Sequence, residues 1–133
     1  MIVGLYLEDF SLLNKVTNRL KSKEFSLRHV KKVPENSDEI SVIISKEILK
    51  NCKIAQIQPS NLDILELRLR CIFYNCKKVV AGIDPGGTSG LAIIGNNHLL
   101  YQNEFDNIED LTCIIKSINE EIGLKTIKIG YLT

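Results

Sequence analysis

The sequence has no surplus of either charge: 17 basic residues stand against 16 acidic ones, a formal net of +1. A protein that wraps nucleic acid is usually far more basic, because neutralising phosphates supplies much of its affinity. Bulk charge therefore lends that function no support, although it does not exclude it. No run approaches the roughly 18 apolar residues of a membrane helix, so no membrane association is expected. The opening MIVGLYLEDF lacks a basic region ahead of a long apolar one and reads as a buried strand rather than an export signal. The four cysteines, Cys52, Cys71, Cys76 and Cys113, form no C-x-x-C pair, and only two histidines, His29 and His98, could join them. A zinc site is not expected, and reduced thiols in a cytoplasmic setting are. Also missing are internal repeats and any linker rich in glycine, serine or proline.

What is present is globular. Of 133 residues, 44% are hydrophobic and 25% charged, enough for one ordinary domain or two small units. Residues 2–7 form a short apolar run, and Glu8-Asp9 can cap a helix in which Phe10, Leu13, Val16 and Leu20 recur at helical spacing. Residues 25–33 alternate, with Phe25, Leu27 and Val33 inward. Pro34 to Ser37 reads as a turn, residues 40–44 as a strand, the stretch through Ile48 and Leu49 as a short helix, and residues 54–57 as another strand. Ser60 and Asp63 have capping-box spacing ahead of a very apolar helix carrying Leu62, Leu65, Leu69, Ile72 and Phe73 on one face. Ile64 and Leu67 widen that face, so cover on more than one side is expected. This βαβα alternation predicts parallel strands with helices on the sheet, a Rossmann- or receiver-like unit over residues 1–76.

From residue 77 the rhythm changes. Three strands at residues 77–84, 91–94 and 99–104 follow one another closely, the last two joined at Gly95-Asn96-Asn97, where glycine and asparagine tolerate positive φ. They predict an antiparallel meander. Asp106, with Glu109 three residues on, caps a helix with Ile108, Leu111, Ile115, Ile118 and Ile122 inward; Gly123 ends it, and a strand follows at residues 125–129.

One stretch carries chemistry. Gly82-Ile83-Asp84-Pro85-Gly86 delivers an aspartate at a strand end, and Gly86-Gly87-Thr88-Ser89 leads into Gly90-Leu91-Ala92. An aspartate beside a glycine-rich turn can ligate a divalent metal or orient phosphate oxygens. These residues resemble the RuvC-like branch of the ribonuclease-H-like superfamily, whose first strand ends in G-[IV]-D-P-G and whose second begins with G-[LIY]-A. The resemblance covers residues 77–133 and rests on about ten residues. It implies an α/β fold with a ribonuclease-H-like mixed sheet, and the strand at Lys125 lying beside the strand at Val79. It also implies Asp84 as a Mg²⁺ ligand in phosphodiester cleavage, with Gly86, Gly87, Thr88 and Ser89 as the phosphate- or substrate-binding loop.

The departure from that family is the missing acid. Its second carboxylate belongs at the end of the strand after the first helix, where this chain reads Gly130-Tyr131-Leu132-Thr133. Glu104 and Asp106, after the third strand, could approach Asp84, but the family places neither at the metal. The expectation is thus either a truncated, inactive relative that serves in nucleic-acid binding or assembly, or one that completes its site with a partner. Two other classes compete. Gly82 to Thr88 also resembles the first phosphate loop of actin-like ATPases and sugar kinases, which implies a nucleotide-phosphate-binding module. Asp-Pro-Gly-Gly is also an ordinary turn in which proline presets φ and a glycine turns left-handed, as in a purely structural oligomer. Because Val79, Ala81 and Ile83 oppose Val80, both faces of this sheet need cover, by the N-terminal half or by a second copy, so a homodimer is expected.

Smaller signals are weaker. The basic cluster at residues 28–32 reads as a solvated edge, Glu66 and Arg70 as a helical i,i+4 pair, and Glu8-Asp9 as a poor phosphoacceptor candidate without a matching lysine.

Overall fold

The computed structural model describes residues 1–21, 23–32 and 39–130. Val33, the turn expected at residues 34–37 and residues 131–133 lie outside the described residues. The chain packs as two units, Met1–Glu66 and Leu67–Thr133.

The first unit holds strand β1 (Ile2–Tyr6), helix α1 (Phe10–Leu20), strands β2 (Ser26–His29), β3 (Ile40–Ser45) and β4 (Ala55–Ile57), and the start of helix α2 (Leu62–Phe73). Its sheet runs β2-β1-β3-β4 with every pairing parallel, as the alternating pattern predicts. Val42, Ile43 and Ile44 are successive and all 0% exposed, so β3 is covered on both faces. Asp9 caps α1, its Oδ1 accepting from the amides of Ser11 and Leu12. Val16 and Leu20 are buried, but Phe10, expected inside, is 76% exposed because it sits at the first position, ahead of the buried stripe.

No helix forms around Ile48, which is 77% exposed. Gln56 on β4 holds the segment in another conformation. Its amide donates to the carbonyl of Glu47 and to Ser45 Oγ, and its carbonyl accepts from Leu49 N, groups that a helix would need for its own ladder.

Where α1 meets the start of α2, Arg19 donates from Nε and Nη2 to Glu66 Oε2 at 3.2 and 3.1 Å and also bonds Asp63. Lys23 Nζ lies 3.4 Å from Glu66 Oε1. Burial opposes the charge on Arg19, but its bonds to the two carboxylates outweigh that and raise its pKa further. Glu66 thus pairs with Arg19 of α1 and with Lys23 just beyond it.

The second unit holds most of α2, strands β5 (Val79–Asp84), β6 (Ser89–Gly95) and β7 (His98–Phe105), helix α3 (Ile108–Glu121) and strand β8 (Leu124–Ile129). Its sheet runs β7-β6-β5-β8; the meander is antiparallel, and β8 returns parallel to β5. The position of β8 beside β5 follows the sequence expectation. Asn96 and Asn97 carry the hairpin at φ 48° and 65°, the left-handed pair that matches strand twist. Gly95 is needed for space instead: a Cβ there would sit 2.8 Å from Cys76 Sγ and 2.9 Å from Leu100 Cδ1.

Both later caps differ by one residue from the sequence reading. Asn61 rather than Ser60 accepts at the start of α2, from Ile64 N, and Asn107 rather than Asp106 starts α3, accepting from Asp110 N. Helix α3 buries Leu111, Ile114 and Ile118, while Ile108, expected inward, is 65% exposed. On α2, Ile64, Leu65, Leu67 and Leu69 are all buried, which fits cover on more than one side, whereas Ile72 and Phe73 are about 40% exposed. One face of the second sheet is core, with Val79, Ala81, Leu91, Ile93 and Tyr101 buried; the other leaves Ile94 and Leu99 at 42% and 55% exposure.

Burial also governs a thiol. Cys71 is 6% exposed, and its pKa is pushed up to about 11, first by desolvation and then by neighbouring Cys76. A raised folded-state pKa stabilises below the unfolded value and loses that contribution as pH rises through the folded one. The folded protein is therefore expected to lose about 2 kcal/mol between roughly pH 9 and 11 through this group. Urea melts of the native chain and of Cys71→Ala across that range check this: the loss should flatten in the variant.

Candidate functional site

The sequence places Asp84 at a strand end, and the structure puts it at the exposed carboxyl end of β5. Its antiparallel partner is Gly90, and on its other side β8 continues past Ile129 into Gly130, whose amide donates to Ile83 O at 2.8 Å. Glycine on both flanks leaves the carboxylate open.

Gly90 pairs onward with Glu104, so Asp84, Gly90 and Glu104 form one cross-strand row. Paired residues project to the same face, which puts two carboxylates on one side of the sheet, their backbones roughly 10 Å apart across Gly90. A bulge creates this row. Gly95 pairs with His98 and Ile94 with Leu99, but Ile93 pairs with Tyr101, leaving Leu100 as an extra residue. An unbulged hairpin would set Asn103 opposite Gly90 and turn Glu104 to the other face. The carbonyl of the bulged Leu100 is taken by Arg70 Nη1 at 2.7 Å, and its side chain is 0% exposed. The sequence offered Glu104, with Asp106, as an acid after the third strand that could approach; what spacing could not reveal is its face, which the bulge sets.

The loop after Asp84 is solvent-facing: Pro85, Gly86, Gly87 and Thr88 are exposed, and Ser89 is half-buried at the start of β6. Neither Gly86 nor Gly87 adopts a left-handed φ, so the glycine-dependent turn that Asp-Pro-Gly-Gly suggests is absent. A Cβ on Gly87 would meet nothing within 4 Å. Neither backbone strain nor internal packing requires glycine there, whereas close approach of a ligand would.

Among the described residues, no group of three histidine, cysteine, aspartate or glutamate side chains comes together to hold a metal ion. Asp84 and Glu104 alone fall short of the oxygen ligands that Mg²⁺ takes. The residues present do not fit a two-metal centre.

A separate cavity of about 410 Å³ opens in the first unit at the carboxyl ends of β1 and β3, where the strand order reverses. Glu8 and Asp9 line it from one side and Ser45, Lys46 and Glu47 from the other. Ligands commonly bind open parallel sheets at such a point. The acidic pair after β1 was legible in the sequence. Its facing wall was not, since that depends on the register pairing Tyr6 with Ser45. Asp9 is engaged as a helix cap, and Glu8 is exposed.

Two of the remaining candidates have local partners. Arg28 bonds Glu39 at 2.6 Å, and His98 stacks on Tyr74 with ring centroids 4.0 Å apart. No described helix is long and apolar enough to cross a membrane. No family model matches this chain, and no curated protein or solved structure matches it.

Proposed function

We propose that the second unit is a ribonuclease-H-like half-sheet of RuvC type that binds a nucleic-acid backbone at the loop after Asp84 and does not cut it. The observation that carries this reading is the strand order β7-β6-β5-β8, with β8 parallel to β5 and an open aspartate ending β5. The exposed loop supports phosphate contact: Gly87 has no role inside the fold, and Thr88 stands beside it. Among the described residues no third acid joins Asp84 and Glu104, which favours binding over cleavage.

The test is fluorescence anisotropy with labelled branched DNA and an RNA–DNA hybrid at low salt. Gly87→Val is expected to leave the melting temperature within a few degrees, since the position is open, and to weaken binding about tenfold by holding phosphates off the backbone. Asp84→Asn in EDTA is expected to strengthen binding about two- to fivefold by removing a negative charge. A loss on that substitution confined to Mg²⁺ buffer would instead make an ion the bridge. Absence of saturable binding, or equal binding by Gly87→Val, overturns the reading; turnover of either substrate overturns its non-cutting part.

A nucleotide-phosphate-binding module is the second reading, favoured by the same open glycine, and ATP displacing the nucleic acid at micromolar concentration would select it. The proposal extends to a cytoplasmic protein with free thiols that self-associates over the face carrying Ile94 and Leu99. A strict monomer by light scattering at micromolar concentration would remove that part.

A further inference from the structure

Helix α2 ends in a left-handed cap with a cysteine at each end. Asn75 turns the chain at φ 55°, and its amide donates to the carbonyl of Ile72 at 3.2 Å. The amide of Cys76 then donates back to the carbonyl of Cys71 at 2.7 Å. In a cap bonded in this way the side chains at its two ends meet across the last turn, and here both are thiols. The closing bond holds their Cα atoms roughly 5–6 Å apart, within the span that a disulfide bridges. Asn96 Nδ2 donates to the carbonyls of Tyr74 and Asn75 at 2.9 and 3.0 Å, so the cap is pinned to the hairpin between β6 and β7. Cys71 is buried and Cys76 half-buried, and both are free. That Cys76 helps to raise the pKa of Cys71 agrees with sulfurs placed close together.

We propose that Cys71 and Cys76 form a modification site that closes to a disulfide when the protein meets a small-molecule disulfide. Only Cys76 has to meet the oxidant. Its thiolate attacks one sulfur of the small disulfide, forming a mixed disulfide and releasing one small thiol. Cys71 then gives its proton to water and attacks Cys76 Sγ, which releases the second small thiol as the new bond forms. The two protein thiols lose two electrons and two protons, and the small disulfide gains them. Burial holds Cys71 protonated, so the second step is slow near neutrality and quickens as pH rises toward about 11. The site does not depend on what the loop after Asp84 binds.

The experiment incubates the full chain with oxidised glutathione in mild alkali, quenches with acid, blocks the remaining thiols with a maleimide and digests with trypsin. Cleavage after Arg70 and Lys77 leaves both cysteines in one peptide, residues 71–77. By mass spectrometry that peptide is expected to lack two hydrogens and to carry neither maleimide nor glutathione, while the exposed Cys113 carries glutathione. Cys71→Ser should halt the reaction at a glutathione adduct on Cys76. A synthetic peptide of residues 71–77 separates the fold from mere closeness in sequence. The folded chain's equilibrium constant for closure against glutathione is expected to exceed the peptide's about tenfold, because the cap orients the two thiols in advance. Both measurements on the native chain stand even if the variant fails to fold. A glutathione adduct on Cys76 that never closes, no reaction at either thiol, or a constant no larger than the peptide's overturns the proposal.

Discussion

Replacing Arg19 with methionine is expected to destabilise the protein by about 2 to 3 kcal/mol, a loss near 10 °C in Tm. The Glu66 side chain is 7% exposed, and two guanidinium nitrogens serve its Oε2. Methionine keeps much of the arginine stem's packing but leaves a buried carboxylate with Lys23, 3.4 Å away, in place of that fork. The value lies below the usual cost of breaking a fully buried pair because Arg19 and Asp63 are 31% and 29% exposed and water screens them in part. Adding Glu66→Gln to Arg19→Met should recover a share of the loss by removing the charge rather than the contact. Asp63→Asn alone should cost less than 1 kcal/mol, as expected of a half-exposed partner. Thermal melts of the four proteins decide this. A loss in Arg19→Met that Glu66→Gln does not relieve would assign the effect to packing instead of charge.

Gly95→Ala comes second, with an expected cost of about 1 to 3 kcal/mol from overpacking. The added Cβ would lie 2.8 Å from Cys76 Sγ and 2.9 Å from Leu100 Cδ1, and Leu100 is 0% exposed, so neither atom yields freely. Cys76→Ala removes the nearer clash, and the double variant should recover at least 0.5 kcal/mol of coupling. Chemical denaturation of both proteins tests this. Independent, additive losses would mean that the backbone of β6 moves away instead. Because Leu100 is the bulged residue, the single variant should also disturb the pairing of Tyr101 with Ile93, visible as amide shift changes along β7.

The elements were largely legible because their signals are local. The short apolar runs around Ile2, Ile40 and Val79 mark strands, and the periodic apolar residues from Phe10 and Leu62 mark helices. Adjacent capping residues blurred the helix starts: Ser60 stands next to Asn61 and Asp106 next to Asn107, and either member of each pair can accept from a free amide. The segment through Ile48 misled because what organises it, Gln56, acts from a later strand. At the candidate site, Asp84 could be read from a strand ending in a glycine-rich turn. The conformation of Gly86 and Gly87 could not, since glycine permits left-handed backbone without requiring it. Glu104 could be named as an acid after the third strand, but its face was hidden for a different reason. Its row is set by one extra residue at Leu100, and an insertion of that kind has no signature in alternation alone.

The division between the units falls within a twelve-residue helix, and this limits how the gene can be dissected. The first unit needs the chain through Glu66 to neutralise Arg19, while the second needs it from Arg70 to hold the carbonyl of Leu100. A cut between those residues leaves each fragment with about half a helix, too short to persist alone in water. Separately expressed halves should therefore share an overlapping copy of α2, and cooperativity along that helix should make the intact chain lose both sheets in one transition.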